Sequence, residues 1–280
     1  MRVAPRVARH RRSLKRRVLT GVSVAAAAGI AVTAAVTASN GAYADETVGD
    51  IQITGVAVNG GKSIVVDTAD KTITVSATAT DPSGIWDADF YLWRGPGGTD
   101  PHDNPDGYIL PNEDTTPADC VASSSTTSTC TKTFTFEPDW WLTSADAGTW
   151  KVGVQVWAND DSRAERWAYT TTRLQRHSKL TANASPEPIA KGKTLTITGK
   201  LTRANWDTLD YRGYTNQPVK LQFRKAGTTT YTTVKTATTS STGNLTTTVP
   251  ASEDGYWRWN FAGTSTTPAV NATGDFVDVQ

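Results

Sequence analysis

Beyond its first 44 residues the chain alternates apolar and polar positions with a period of two, the spacing that puts one face of a β-strand in a core and the other in water. The pattern is cleanest from Val219 to Val279. There Val219, Leu221 and Phe223 alternate with Lys220, Gln222 and Arg224, and Ala226-Gly227 marks a turn. Tyr231 to Thr239 is β-branched and aromatic, Thr242-Gly243-Asn244 turns again, Gly255 opens Tyr256 to Phe261, and Phe276 to Val279 reads as a last short strand. With Leu180 to Ala184 and Thr194 to Leu201, this half supplies about seven strands, enough for one sandwich.

The preceding half reads the same way. Ile51 to Val58 turns at Asn59-Gly60-Gly61 into Ile64 to Val66, and Thr72 to Thr80 sets Ile73, Val75, Ala77 and Ala79 on one face. After the turn Asp81-Pro82-Ser83-Gly84, Ile85 to Trp93 places Trp86, Ala88, Phe90 and Leu92 on the core face, and Asp87, Asp89, Tyr91 and Trp93 opposite. A Gly/Pro/Asp-rich excursion, Gly95 to Pro117, interrupts the pattern before Phe134 and Phe136 resume it. Trp150 to Trp157 is the strongest strand of this half, Asn159 to Ser162 turns, and Arg166 to Thr172 closes the set. Arg173 to Lys179 is polar without alternation and reads as a boundary. The expected architecture is all-β: two immunoglobulin-like β-sandwiches in tandem, over 45–172 and 180–280, joined by a linker at 173–179.

Residues 1–44 have the composition of a cleavable signal peptide. Eight Arg and Lys residues precede an apolar, alanine-rich run from Val18 to Val36, and Ala42-Tyr43-Ala44 forms a small-residue cleavage site before Asp45. Export is expected, with no stable membrane anchor after cleavage. Arg16-Arg17-Val18-Leu19 leaves the twin-arginine route open beside the general one. Cleavage also changes the charge. Taking eight basic residues from a chain with 28 basic and 27 acidic ones leaves a net charge of −7, which sets nucleic acid aside as a partner. The acid is concentrated in residues 45–176, with 9 basic and 20 acidic side chains; residues 177–280 carry 11 basic and 7 acidic. The only cysteines, Cys120 and Cys130, flank a Ser/Thr run and are expected to pair as a disulfide outside a reducing cytosol.

Several segments of the second half, Leu180 to Pro188, Thr198-Gly199-Lys200-Leu201, Val219 to Phe223 and Gly255 to Trp259 with Phe261 to Thr264, resemble an immunoglobulin-like module of secreted actinobacterial proteins. In the first half, Ala79 to Ile85 and Ala147 to Val152 resemble its partner in an uncharacterised two-domain family of such proteins. That resemblance implies fold and export but carries no functional residues. Members of the family are sometimes labelled calcium-binding, which puts a question to the acidic half.

Two sets of oxygen ligands could answer it. From its third position, His102 to Glu113 has the layout of a 12-residue calcium loop, with Asn104, Asp106 and a closing Glu113, although His102 stands in place of the first Asp. The second set depends on the fold. Asp81, Asp87 and Asp89 follow one strand and Asn159, Asp160 and Asp161 another, and a sandwich can bring two such turns to one end. Acidic turn formers that bind nothing are the commoner explanation of both sets. A third candidate is aromatic: Tyr91, Trp93, Trp157 and Trp167 would lie on neighbouring strands and offer flat faces to a sugar or a protein. Packing under the excursion, with Trp140-Trp141, is the structural alternative, and Trp86, Trp150, Trp257 and Trp259 are expected in the cores.

No catalytic constellation emerges. His102 lies in the excursion and His177 in the linker, both cysteines are expected to be oxidised, and no phosphate-binding glycine motif opens a helix. The function expected from sequence is a secreted, non-enzymatic binding or spacer module without a cofactor, acting on an extracellular protein or polysaccharide. Calcium binding by the acidic half and carbohydrate or cell-wall binding through aromatics are the alternatives.

Overall fold

The computed structural model describes residues 45–96, 106–112 and 116–280, built from strands, turns and two single-turn 3-10 segments at Asn59–Gly61 and Ser144–Asp146. The first half contributes β1 (Glu46–Val48), β2 (Gln52–Val58), β3 (Ile64–Val66), β4 (Lys71–Thr80), β5 (Ile85–Arg94), β6 (Gly107–Ile109), β7 (Asp119–Ala122), β8 (Thr127–Phe136), β9 (Gly148–Ala158) and β10 (Arg163–Arg176). One layer runs β2-β4-β8-β7. The other runs β1-β10-β9-β5-β6, with β3 added to β10 in parallel. Four antiparallel strands facing a layer centred on β5, β9 and β10 is the immunoglobulin arrangement. The edge of β10 is covered at its two ends, by β1 antiparallel along Arg163 to Glu165 and by β3 along Leu174 to Arg176, which shortens the stretch left open to another chain.

The alternation read from sequence selects the core. Ile73, Val75, Ala77 and Ala79 of β4, Phe134 and Phe136 of β8, Ala88, Phe90 and Leu92 of β5, and Trp150, Val152, Val154 and Val156 of β9 are all buried between the layers. Trp86 is the exception. It was expected in the core but is 49% exposed, because the β5–β9 register shifts between Ile85 and Asp87. Such a bulge reverses the side-chain parity at one position, and Ile85 takes the inward place instead.

The second half supplies β11 (Ser178–Leu180), β12 (Asn183–Ser185), β13 (Thr194–Asn205), β14 (Asp210–Gly213), β15 (Pro218–Lys225), β16 (Thr232–Thr238), β17 (Asn244–Pro250), β18 (Gly255–Phe261), β19 (Val270–Asn271) and β20 (Asp275–Val277). β13 is the spine of one layer: its first half pairs with β12 and β17, its second half with β11 and β14. The facing layer is β16-β15-β18, with β19 and β20 both on β18. Leu195, Ile197, Leu201, Val219, Leu221, Leu245, Trp257, Trp259 and Phe261 fill the space between them. Gly199 is needed here, since a Cβ would lie 2.4 Å from the Thr181 carbonyl oxygen and 2.6 Å from the Trp259 ring.

The segment 173–179, expected as an irregular linker, is strand. β10 continues to Arg176, and only His177 separates it from β11. The alternation is hidden because both faces are covered here: Leu174, Gln175, Arg176 and Ser178 are all buried. Their polar groups are satisfied by the second half. Arg176 N–H donates to the Thr266 carbonyl (3.0 Å), Gln175 Nε2 to the Thr264 carbonyl (2.9 Å), Arg176 Nε to the Ala204 carbonyl (2.5 Å) and Ser178 Oγ to the Pro268 carbonyl (3.1 Å). Burial and the nearby Arg203 pull the Arg176 pKa down to about 10, which still leaves the guanidinium charged at neutral pH.

From the other side, the tip between β13 and β14 reaches back. Trp206, 1% exposed, and Ala204 belong to the core of the first sandwich although they lie in the chain of the second. Val66 O accepts from His177 N–H at 2.8 Å and from Trp206 Nε1 at 3.4 Å, and Ser144 Oγ receives the Trp206 N–H at 3.1 Å. The two sandwiches therefore share apolar packing and hydrogen bonds across their junction.

Candidate functional site

The outward face of the β5-β9-β10 layer carries the aromatics singled out from sequence, and it is not open. Gly153 of β9 has no side chain, so the Tyr91 ring lies over its backbone; a Cβ there would sit 1.8 Å from the ring. Tyr108 from β6 stacks on Tyr91 with centroids 6.0 Å apart, and Trp167 packs on it at 5.7 Å. Trp93 donates from Nε1 to the Trp167 carbonyl at 2.7 Å, with Lys151 Nζ 4.0 Å from its ring centre. The register of β10 breaks between Arg166 and Thr170, which lets Trp167 fold over the sheet. Tyr91 and Trp93 are consequently 3% and 2% exposed. Their expected availability to a ligand is corrected: they form a small second core outside the sheet. Trp157 and Trp167 are half-buried, and Trp157 pairs instead with the outward-turned Trp86 at 6.4 Å.

The two acidic turns do meet at one end of the first sandwich. Asn159 N–H donates to the Gly84 carbonyl at 3.0 Å and Asn159 Nδ2 to the Ser83 carbonyl at 2.8 Å. Asp81 is 2% exposed. Its Oδ1 accepts from the Ser83 N–H (2.8 Å) and hydroxyl (2.6 Å), while Oδ2 is buried with no hydrogen-bond partner. Asp160 is held by Ser162, whose hydroxyl and N–H, with a smaller contribution from the Ser83 hydroxyl, keep its carboxyl below the usual carboxylate range. Asp161 is exposed, at a positive φ of 67° that shapes the turn. Asp87 is structural: its Oδ1 receives the N–H groups of Ala88 (2.8 Å) and Ala118 (2.7 Å), tying β5 to the segment before β7. Asp89 Oδ1 accepts from Phe90 N–H at 2.8 Å. Among the described residues no three His, Cys, Asp or Glu side chains converge as a metal ion requires.

Of the calcium-like loop only its middle is described. Asn104 and Glu113 lie outside the described residues, as does His102; Asp106 leads into β6, its N–H donating to the Arg94 carbonyl at 2.8 Å. Cys120 and Cys130 form the expected disulfide and sit directly opposite each other in the β7–β8 hairpin, so the Ser/Thr run between them is two paired strands and a turn. His177 Nδ1 bonds the Tyr211 hydroxyl at 2.7 Å inside the junction.

Sequence reasoning gave little weight to the turn after β8. Three N–H groups, from Trp140, Trp141 and Leu142, converge on the Glu137 carbonyl at 3.2–3.3 Å, and Trp140 emerges 70% exposed. With Glu137, Asn112 and Tyr108 it borders a cleft of about 530 Å³. The adjacent tryptophans after Pro138 were the signal available for it.

Residues 63–156, from the start of β3 into β9, match a family of unknown function, DUF5707. Neither an actinobacterial source nor a calcium role follows from that match. No curated protein matches the chain. Among solved structures, dimeric latent PorU from Porphyromonas gingivalis is similar at 12% identity and a TM-score of 0.27, over 90% of this chain and 21% of that one. The adhesin InvE of Yersinia pseudotuberculosis is similar at 15% and 0.26, over 82% and 60%. The Ig1–Ig3 ectodomain of mouse nectin-like molecule 4 is similar at 12% and 0.24, over 84% and 66%. The chain thus spans about a fifth of PorU. At such identities and scores no ligand, partner or activity passes from those proteins to this chain.

Proposed function

We propose that the protein is a secreted, non-enzymatic pair of immunoglobulin-like sandwiches that binds or spaces partners outside the cell. The observation that carries this reading is the junction. A strand running from one sandwich into the next, buried on both sides, with Trp206 seated in the neighbouring core, suits a part that holds two surfaces at a fixed distance. The Cys120–Cys130 disulfide supports an oxidising location, and among the described residues no helix is long and apolar enough to cross a membrane. Small-angle scattering tests the reading on protein recovered from the culture medium of expressing cells and checked for a mature N-terminus at Asp45. A single rigid particle is expected, and two Gly inserted between Arg176 and His177 should broaden its distance distribution. A wild-type profile already matching two freely jointed bodies, or retention of the protein inside the cell, rejects it.

Calcium binding is a second reading, favoured by Asp81 Oδ2, a buried carboxylate oxygen that a hard cation would satisfy. Asp81 borders an open groove of about 920 Å³ with Asp50 and Thr126. The guanidinium of Arg166, on the same rim, donates to the Glu46 and Glu165 carbonyls. Since the carboxylates of the two turns do not cluster, other ligands would have to come from backbone and hydroxyl oxygens. Millimolar calcium should then raise the melting temperature, and Asp81→Asn should abolish the rise. No rise in the parent protein ends this reading.

A further inference from the structure

We propose that the cleft between β6 and the turn at 137–142 binds the pyranose rings of a neutral polysaccharide, an inference that rests on the binding-module reading above. Sugar rings present an apolar C–H face and a girdle of hydroxyls, so a site for them combines an exposed aromatic plane with a carboxylate or amide beside it. The cleft has both. Trp140 is 70% exposed, yet it does not stand on a loose loop. Its turn is closed by the three N–H groups on the Glu137 carbonyl; on one side Trp141 packs on Phe136 with centroids 6.0 Å apart, and on the other Leu142 is buried in the core. The opposite wall is equally fixed. Tyr108 is stacked on Tyr91, and Asn112 is tied to Thr133 by its N–H (2.9 Å) and by Nδ2 (3.2 Å). That leaves the Asn112 side-chain oxygen pointed away from its own donor group and able to accept a hydroxyl.

Glu137 is the polar centre of the cleft. Its residue is half-buried, and among the described residues its carboxylate makes no hydrogen bond or ion pair. Two carboxylate oxygens accept neatly from vicinal hydroxyls, and the charge makes these the stronger kind of hydrogen bond. The same charge selects against anionic glycans. Residues 45–176 carry 20 acidic and 9 basic side chains, so a uronic or phosphate polymer would be repelled both locally and at a distance. A protein partner needs a broader apolar surface than Trp140 and Leu110, the latter 42% exposed, provide here.

The test uses the intact protein with three soluble probes: a β-glucan hexamer, a chitin hexamer and polygalacturonate, followed by tryptophan fluorescence and calorimetry. At least one neutral hexamer should bind with a blue shift, and polygalacturonate should not. Trp140→Ala should weaken that binding about tenfold or more, Glu137→Gln by a few-fold, each with little change in melting temperature, because among the described residues the exposed Trp140 ring makes no ring contact and the Glu137 carboxylate no hydrogen bond or ion pair. Trp86→Ala, which removes a comparably exposed ring elsewhere, should leave affinity unchanged. Absence of binding to both neutral probes, undiminished binding by the Trp140→Ala variant, equal loss from Trp86→Ala, or preference for polygalacturonate each overturns the site. None of these outcomes touches the spacer reading, which scattering decides separately.

Discussion

Replacing Trp206 with Ala should destabilise the first sandwich more than the second, although the residue lies in the chain of the second. The side chain is 1% exposed and packed in the core that Ile64, Val66 and Phe136 also line. An indole buries on the order of 150–250 Å², and at about 25 cal/mol per Å² that corresponds to roughly 4–6 kcal/mol of transfer free energy. Measured Trp→Ala costs run at about 3–5 kcal/mol, because part of the cavity collapses. The Nε1 hydrogen bond to Val66 O, at 3.4 Å, is too long to add much. A loss of about 3–5 kcal/mol is therefore expected in urea unfolding, with the wild type melting as one transition and the variant splitting into two. Trp206→Phe should fall between. Near-ultraviolet circular dichroism of the first sandwich's buried aromatics reports which half has moved. If the wild type already melts in two steps and the earlier one is unchanged by the substitution, the tryptophan is not part of that core.

Three further outcomes follow from features described above. Cys120→Ser with Cys130→Ser opens a loop of 10 residues; loop-closure entropy puts the loss at roughly 2.7 kcal/mol, read as a lower urea midpoint, and an unchanged midpoint refutes it. Burial and, to a smaller degree, the charge of Asp67 push the Tyr211 pKa up to about 12 from the ordinary 10.0, so the neutral phenol is favoured in the fold. Its contribution is complete below the unfolded value and lost as pH rises through the folded one, so stability should decline from pH ~10 to pH ~12, and Tyr211→Phe should flatten that decline. Gly153→Ala places a methyl into the Tyr91 ring, which should cost about 1–3 kcal/mol and alter the near-ultraviolet spectrum.

Period-two alternation carried most of the architecture, because wherever one face of a strand is wet and the other dry the sequence records it. Ile73 to Ala79 and Val219 to Phe223 are such cases. Legibility failed where that condition fails. Leu174, Gln175, Arg176 and Ser178 are covered on both faces by the junction, so the polar character of the last three says nothing about exposure. Trp86 lost its place to a one-residue bulge that alternation cannot show. Tyr91 and Trp93 point away from the main core as their parity requires. A glycine on the adjacent strand and a break in β10, both remote in sequence, then close the outer face over them. The meeting of the turns at Asp81 and Asn159 could be anticipated from strand order, whereas the unpartnered Asp81 oxygen and the rigid seat of Trp140 depend on side-chain positions that no spacing encodes.

The passage of β10 into β11 across a single residue also settles how the molecule meets tension. A pull on the second sandwich enters the first along the axis of β10, whose ladders to β9 and β3 run parallel to that pull. Hydrogen bonds stretched in this direction resist together, in shear, where a pull across the strands would open them one at a time. The ladders that hold β10 inside the first sandwich are in this respect a mechanical clamp, and force should disrupt strands of the second sandwich before it draws β10 out of the first.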